Sequence, residues 1–390
     1  MSSLSLLCFM FCIRRCILYA HIYSPHPQIP NSAKFSKDAD DKMLSGCPGC
    51  PYTDFKYFYD YYGTSEYAHQ WVEAAFAGEA TKFSRGNADF SRYGLDGREQ
   101  AIKKGTAYMN VFMYVIREFE DALDDCQRGI ISDNYNSVHA WDEGVCFYTG
   151  SIEGQDGITD DGKLLHQLAD KRCADFKVCG VDGVDEAGQS KLNYDLFDLY
   201  ALGNYQLQSG NCPAARETVK LITDKMYVPM IQGTLRYAYK VDKLSGGEKE
   251  AAEGAVFAAA VLPRVYAANK QAAQTIYDNM KVDAASTDSA AVKKAFESVY
   301  PDLGINCADI GGLWNEATSD YYAGYGPCKT IVSTSSQAAT QNNNTLAIVL
   351  GSVFGGLFLV AVGMVLYMRT REKQGEPVFK TSTHTATDMN

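Results

Sequence analysis

From Leu346 to Met368 the chain reads LAIVLGSVFGGLFLVAVGMVLYM, 23 residues without a charged side chain. At 1.5 Å of helical rise per residue, that length spans a bilayer core of roughly 30 Å. The flanks are asymmetric. Arg369, Arg371 and Lys373 follow at once, while the preceding TSSQAATQNNN carries no charge. The positive-inside rule therefore predicts a cytosolic tail over 369–390, a transmembrane helix over 346–368 and a polar stalk over 331–345. Everything before the stalk is expected outside the cell or in a lumen, at the plasma membrane or an endosomal membrane. Gly351 and Gly355 form a G-x-x-x-G spacing, which points to a homodimer paired through the membrane helix.

An exported domain needs a leader, and residues 1–50 are read as export leader and linker. Their apolar stretch SLLCFMFCI is followed, not preceded, by Arg14 and Arg15, the reverse of a good signal peptide. Nine cysteines lie beyond it: Cys47, Cys50, Cys126, Cys146, Cys173, Cys179, Cys212, Cys307 and Cys328. In an oxidising compartment these predict disulfides, with Cys173–Cys179 and Cys307–Cys328 the easiest by spacing. An odd number leaves one outside any intramolecular set. Cys47-Pro48-Gly49-Cys50 has the spacing of a redox or zinc half-motif. No second C-x-x-C and no strand pattern accompany it, so neither a zinc site nor a thioredoxin fold is expected. The net charge of −11 and the lack of a basic cluster argue against nucleic acid as a partner.

Residues 52–330 read as helical. Ser65 to Phe83, Gly97 to Asp125, Leu164 to Phe176, Tyr194 to Leu207, Ala214 to Lys240, Glu248 to Met280 and Ala290 to Val299 all carry apolar residues at spacings of three and four. Pro263 is expected to kink or split its helix. The predicted class is all-α, as one helical bundle or as two duplicated lobes over 52–180 and 190–330. The duplication rests on two alignments. The segment from Gly97 matches that from Gly246, and Trp141-Asp142-Glu143 with Tyr148 matches Trp314-Asn315-Glu316 with Tyr321.

Two H-x-W-x-E motifs stand out, His69-Gln70-Trp71-Val72-Glu73 and His139-Ala140-Trp141-Asp142-Glu143. On a helix, residues i and i+4 share a face, so each His and Glu can meet one ion. The plain alternative is a His–Glu hydrogen bond on a solvated face. Between Arg117 and Asp125 five carboxylates crowd a helix C-terminus, where the dipole favours cations. Glu120 and Asp124 share one face there; Glu118, Asp121 and Asp125 share another. A bound cation would relieve the repulsion. The metal candidates are His139, Glu143, Glu120 and Asp124, then His69, Glu73 and Tyr148. The 26 tyrosines have a plain reading as packing groups and a sharper one as phenolate donors for ferric iron. No G-x-S-x-G, P-loop or H-E-x-x-H is present, so no enzyme is expected.

The segments VHAWDEGVCFYTGSIEG from Val138 and GKLLHQLADKRCADFKVCG from Gly162, with the REFEDALDDC helix, resemble the algal iron-assimilating, low-iron-inducible periplasmic proteins, close to the phytotransferrins. The resemblance implies extracytoplasmic capture of ferric iron without reduction at the site. It also implies carbonate as a companion anion and membrane anchoring. It supplies no ligand list. Iron uptake by internalisation of an anchored Fe³⁺-binding protein is thus the expected function. A non-metal adhesion or receptor ectodomain is the rival.

Overall fold

The computed structural model describes residues 43–131, 137–150 and 164–329. The expected membrane helix, stalk and tail, and the leader up to residue 42, lie outside the described residues. What is described is helical, with a single two-residue antiparallel strand pair at one end.

The first helices are α1 (Thr53–Tyr62), α2 (Tyr67–Ala77) and α3 (Leu95–Gly105). A six-residue π-helical stretch, Thr106–Val111, continues α3 directly into α4 (Phe112–Gln127). The strongly periodic segment from Gly97 is therefore one long rod. Next come α5 (Ser137–Thr149), α6 (Leu164–Phe176) and α7 (Lys191–Gln208). Helices α8 (Cys212–Met226), α9 (Val228–Lys243), α10 (Glu248–Ala268), α11 (Lys270–Met280) and α12 (Ser289–Glu297) complete the bundle. A one-turn α13 (Cys307–Ile310) leads to β1 (Trp314–Asn315) and β2 (Asp320–Tyr321).

Helix starts follow side-chain capping. Ser190 accepts from the Leu192 N–H at 3.2 Å, Asn211 from Ala214 at 3.4 Å, and Asp288 from Ala291 at 3.0 Å. The cap of α3 is not local. Glu248, in the first turn of α10, accepts from the Gly94 and Gly97 N–H groups at 2.9 and 3.0 Å. One carboxylate thus neutralises the positive end of a helix more than 150 residues away in sequence.

Two expected helices are each a pair. The Ala214–Lys240 segment breaks at Tyr227, and the Glu248–Met280 segment breaks at Asn269. Asn269 leaves helical backbone (φ −151°, ψ 107°) and caps α11 by accepting from Gln271 and Ala272. Pro263 does not split its helix; it lies inside α10. Helix α10 is also long and apolar enough to cross a membrane, but it is buried along most of its length as the core helix of the bundle.

One apolar core runs through both sequence halves, from Phe55 and Phe112 to Phe257, Phe296 and Leu303. The duplication fares differently at its two anchors. The segments from Gly97 and Gly246 are both helical, but Trp141 lies on α5 and Trp314 on β1, so the two Trp positions are not equivalent. Ten of the described tyrosines are buried in the core. Tyr62 donates to the Ala259 carbonyl at 2.7 Å and Tyr67 to the Met109 carbonyl at 3.2 Å, so each ring is buried and each hydroxyl is paired.

Among the described residues four disulfides are formed: Cys47–Cys50, Cys126–Cys212, Cys173–Cys179 and Cys307–Cys328. Cys146 stands outside them. Both pairings expected from spacing are present.

Candidate functional site

Helices α4 and α5 pack side by side, and the wedge between them is aromatic. Trp141 lies tilted against Phe119 (centroids 4.7 Å apart), and its Nε1 donates to the Tyr200 carbonyl on α7 at 3.1 Å. Gly203 on α7 lies so close to the indole that a Cβ there would sit 2.1 Å from it. That contact fixes the rotation of α5 about its axis.

With α5 so set, His139 and Glu143 pair along the helix at 3.2 Å, each a little over a quarter exposed. Their partner across the interface is the Glu118 face of α4. Glu118 is buried and ion-paired with Arg117, which also reaches Asp121 at 3.5 Å and the Tyr114 hydroxyl at 3.1 Å. Tyr114, Glu118, Asp121 and Asp125 recur at steps of four, three and four, which is one face of a helix. Two carboxylates, Glu118 and Asp121, share the Arg117 guanidinium, and the charge of Glu143 acts on Glu118 from α5.

The Glu118 carboxyl is pushed up to about 7. Burial is the main cause; Arg117 opposes it, and the charges of Glu143 and Asp121 add to it. A carboxyl that holds its proton more tightly in the fold than in the unfolded chain stabilises the fold most at low pH. That stability is lost as pH rises from about 4.5 toward 7, by on the order of 3 kcal/mol. Urea unfolding of the parent is expected to show this fall between about pH 4.5 and 7, and Glu118→Gln a clearly flatter profile. Equal slopes in the two proteins would remove Glu118 as the cause.

Glu120 and Asp124 do not join this group. At about 100° per residue they lie roughly opposite Glu118 on α4. Glu120 accepts from Arg216 of α8 at 2.9 Å. Asp124, fully buried, accepts from the Tyr52 hydroxyl at 2.8 Å and the Gly49 N–H at 3.2 Å. The expected meeting of His139 and Glu143 with Glu120 or Asp124 is therefore not formed; of the acidic residues of α4, it is Glu118 that feels the charge of Glu143. Tyr148 is also elsewhere. It is fully buried, donates to Asn193 Oδ1 at 2.8 Å, and burial holds its hydroxyl well above the ordinary phenol range. His69 and Glu73 pair at 3.3 Å on α2, with Glu73 half exposed. Both H-x-W-x-E motifs thus make the His–Glu contact along a helix.

The seven expected ligands do not converge on one point. Among the described residues no three His, Cys, Asp or Glu side chains are already arranged around a common ion position. What the fold brings together is Tyr114, Arg117, Glu118 and Asp121 from α4 with His139 and Glu143 from α5. Tyr114 was legible only as the i−4 neighbour of Glu118. No family model matches the chain, and no curated protein or solved structure matches it either.

Proposed function

We propose that the chain is a cell-surface ferric iron-binding protein that captures iron outside the cell and delivers it by internalisation. The observation that supports this best is that Glu143, paired with His139 along α5, brings its charge to bear on the buried Glu118 of α4. Fe³⁺ is a hard cation that prefers anionic oxygen, and the α4–α5 patch offers three carboxylates, a phenol and a supporting imidazole. A trivalent ion would offset the burial that chiefly raises Glu118 and discharge the added repulsion from Glu143 and Asp121. Arg117 is the internal competitor for Glu118, and iron has to displace that contact. Once displaced, its guanidinium suits a carbonate bound beside the metal. In this reading the protein is a binder without catalytic residues. It is anchored through 346–368 with a cytosolic tail, and it pairs with a second copy through the membrane helix.

The test is a ferric titration of the detergent-solubilised full chain from a weak chelate, with metal analysis and absorbance. Glu143→Gln keeps the side-chain shape and removes one charge. It is expected to weaken iron binding at least tenfold while leaving the unfolding midpoint near that of the parent. Equal affinity in parent and variant, or no iron retained by the parent, would sink the reading.

One observation favours the rival, a receptor or adhesion ectodomain. The outer side of α7 exposes Tyr205 (69%), Leu202 (44%) and Tyr194 (36%) at helical spacing. A partner captured through that face, with no bound iron, would carry it.

A further inference from the structure

The Cys47–Cys50 bridge differs from the other three in what it encloses and what lies beneath it. It closes the smallest loop, with a sequence separation of 3 against 6, 21 and 86. So short a loop restrains the unfolded chain least, and the bridge is the weakest of the four as a staple. The loop is a tight turn, with the Cys50 N–H donating to the Cys47 carbonyl at 3.2 Å. Pro48 and Gly49, at the corners of the turn, are exposed, and both sulfur-bearing residues are partly exposed. By contrast Cys173 and Cys179 are fully buried.

Beneath the turn lies Asp124. Its Oδ2 accepts from the Gly49 N–H, inside the C-x-x-C loop, and from the Tyr52 hydroxyl. Its Oδ1 is buried and without a hydrogen-bond partner. This oxygen points at the loop: a Cβ placed on Gly49 would lie 2.6 Å from it. An unpartnered carboxylate oxygen in a fully buried residue is costly, and one held against a C-x-x-C turn has a natural donor in a thiol of the reduced pair. Two residues beyond Cys50, the Tyr52 N-cap opens α1, whose positive end favours a thiolate; Asp54 in the first turn opposes it.

We propose that Cys47–Cys50 is a reversible thiol–disulfide centre that exchanges with dithiol partners, with Asp124 as its positioning residue. A thiolate of the partner attacks one sulfur of the bridge. The Cys47–Cys50 bond breaks, a mixed disulfide forms, and the released cysteine takes up a proton. The second thiol of the partner then attacks the mixed disulfide and frees the other cysteine. The partner dithiol loses two electrons and two protons to become a disulfide, and Cys47 and Cys50 gain both as thiols. The reverse sequence oxidises a partner dithiol. Asp124 keeps the loop in place in both states through Gly49 and offers Oδ1 to the thiol form. Asp124 makes none of the contacts that hold Glu118, so the exchange step does not require iron at the α4–α5 patch.

The folded full chain in detergent is equilibrated in graded dithiothreitol and in glutathione buffers, alkylated, and mapped by peptide mass spectrometry. Cys47 and Cys50 are expected to open at least tenfold faster than any other pair, at reductant levels where the remaining three bridges stay closed and the fold is intact. Asp124→Asn is expected to shift the thiol-to-disulfide ratio of this pair at least fivefold at fixed glutathione poise. Tyr52→Phe frees the same carboxylate without removing it, and serves if the Asn variant does not fold. A bridge that opens only with the other three, or only on unfolding, overturns the proposal. An unchanged ratio in both variants overturns the part assigned to Asp124.

Discussion

A Cys126→Ser, Cys212→Ser double variant is expected to lose about 4–5 kcal/mol of stability, a large share of what a domain this size has. The bridge joins the end of α4 to the start of α8 across 86 positions, and the intervening chain carries α5, α6 and α7. Loop-closure entropy rises with the logarithm of loop length, so this bridge restrains the unfolded chain more than the other three. Cys126 is buried, and the nearby Glu120–Arg216 pair spans the same two helices. That ion pair is partly exposed and contributes little by itself. Guanidinium unfolding of parent and variant without reductant measures the difference. A loss below about 1 kcal/mol would mean that the packing of α4 on α8 restrains the chain without the bridge.

Helical periodicity made most of the bundle legible in the sequence, because amphipathic spacing reports burial directly. Leu164–Phe176 was read with the same ends that the structure gives it. Breaks inside apolar runs were not legible. Asn269 ends α10 through its backbone conformation and its cap, while Pro263, the stronger helix breaker by composition, is accommodated within the helix. Short strands carry too little pattern to be seen, so Trp314-Asn315-Glu316 looked like a second copy of Trp141-Asp142-Glu143 and is instead a strand end.

At the site, the His139–Glu143 contact followed from i, i+4 spacing. The face of α4 that meets it did not. The sequence places Glu118 and Asp121 on one side and Glu120 and Asp124 on the other. Only tertiary packing decides which side turns to α5. Composition favours neither, since both faces are acidic.

That decision rests on Trp141, and Trp141→Ala is expected to cost about 3–5 kcal/mol. The indole is nearly inaccessible, lies against Phe119 of α4, and fills the space that Gly203 leaves open on α7. Removing it leaves a large cavity and strips the Tyr200 carbonyl of its indole donor. The neighbours cannot simply close in. Three residues along α5, Gly144 already has its Cα so close to Phe119 that a Cβ would meet the ring at 2.9 Å. Trp141→Phe keeps an aromatic wedge and is expected to lose less than the Ala variant. Denaturant unfolding of the three proteins gives the order. A loss below about 1 kcal/mol for Trp141→Ala would show that α5 is held by other contacts. The contacts of the indole with Phe119 and the Tyr200 carbonyl fix the rotation of α5 about its axis, and with it the direction in which His139 and Glu143 project. The wedge that buries the indole therefore also sets where the His–Glu pair faces. Loosening it is expected to uncouple Glu143 from Glu118, so Trp141→Ala should also lower the midpoint at which Glu118 titrates.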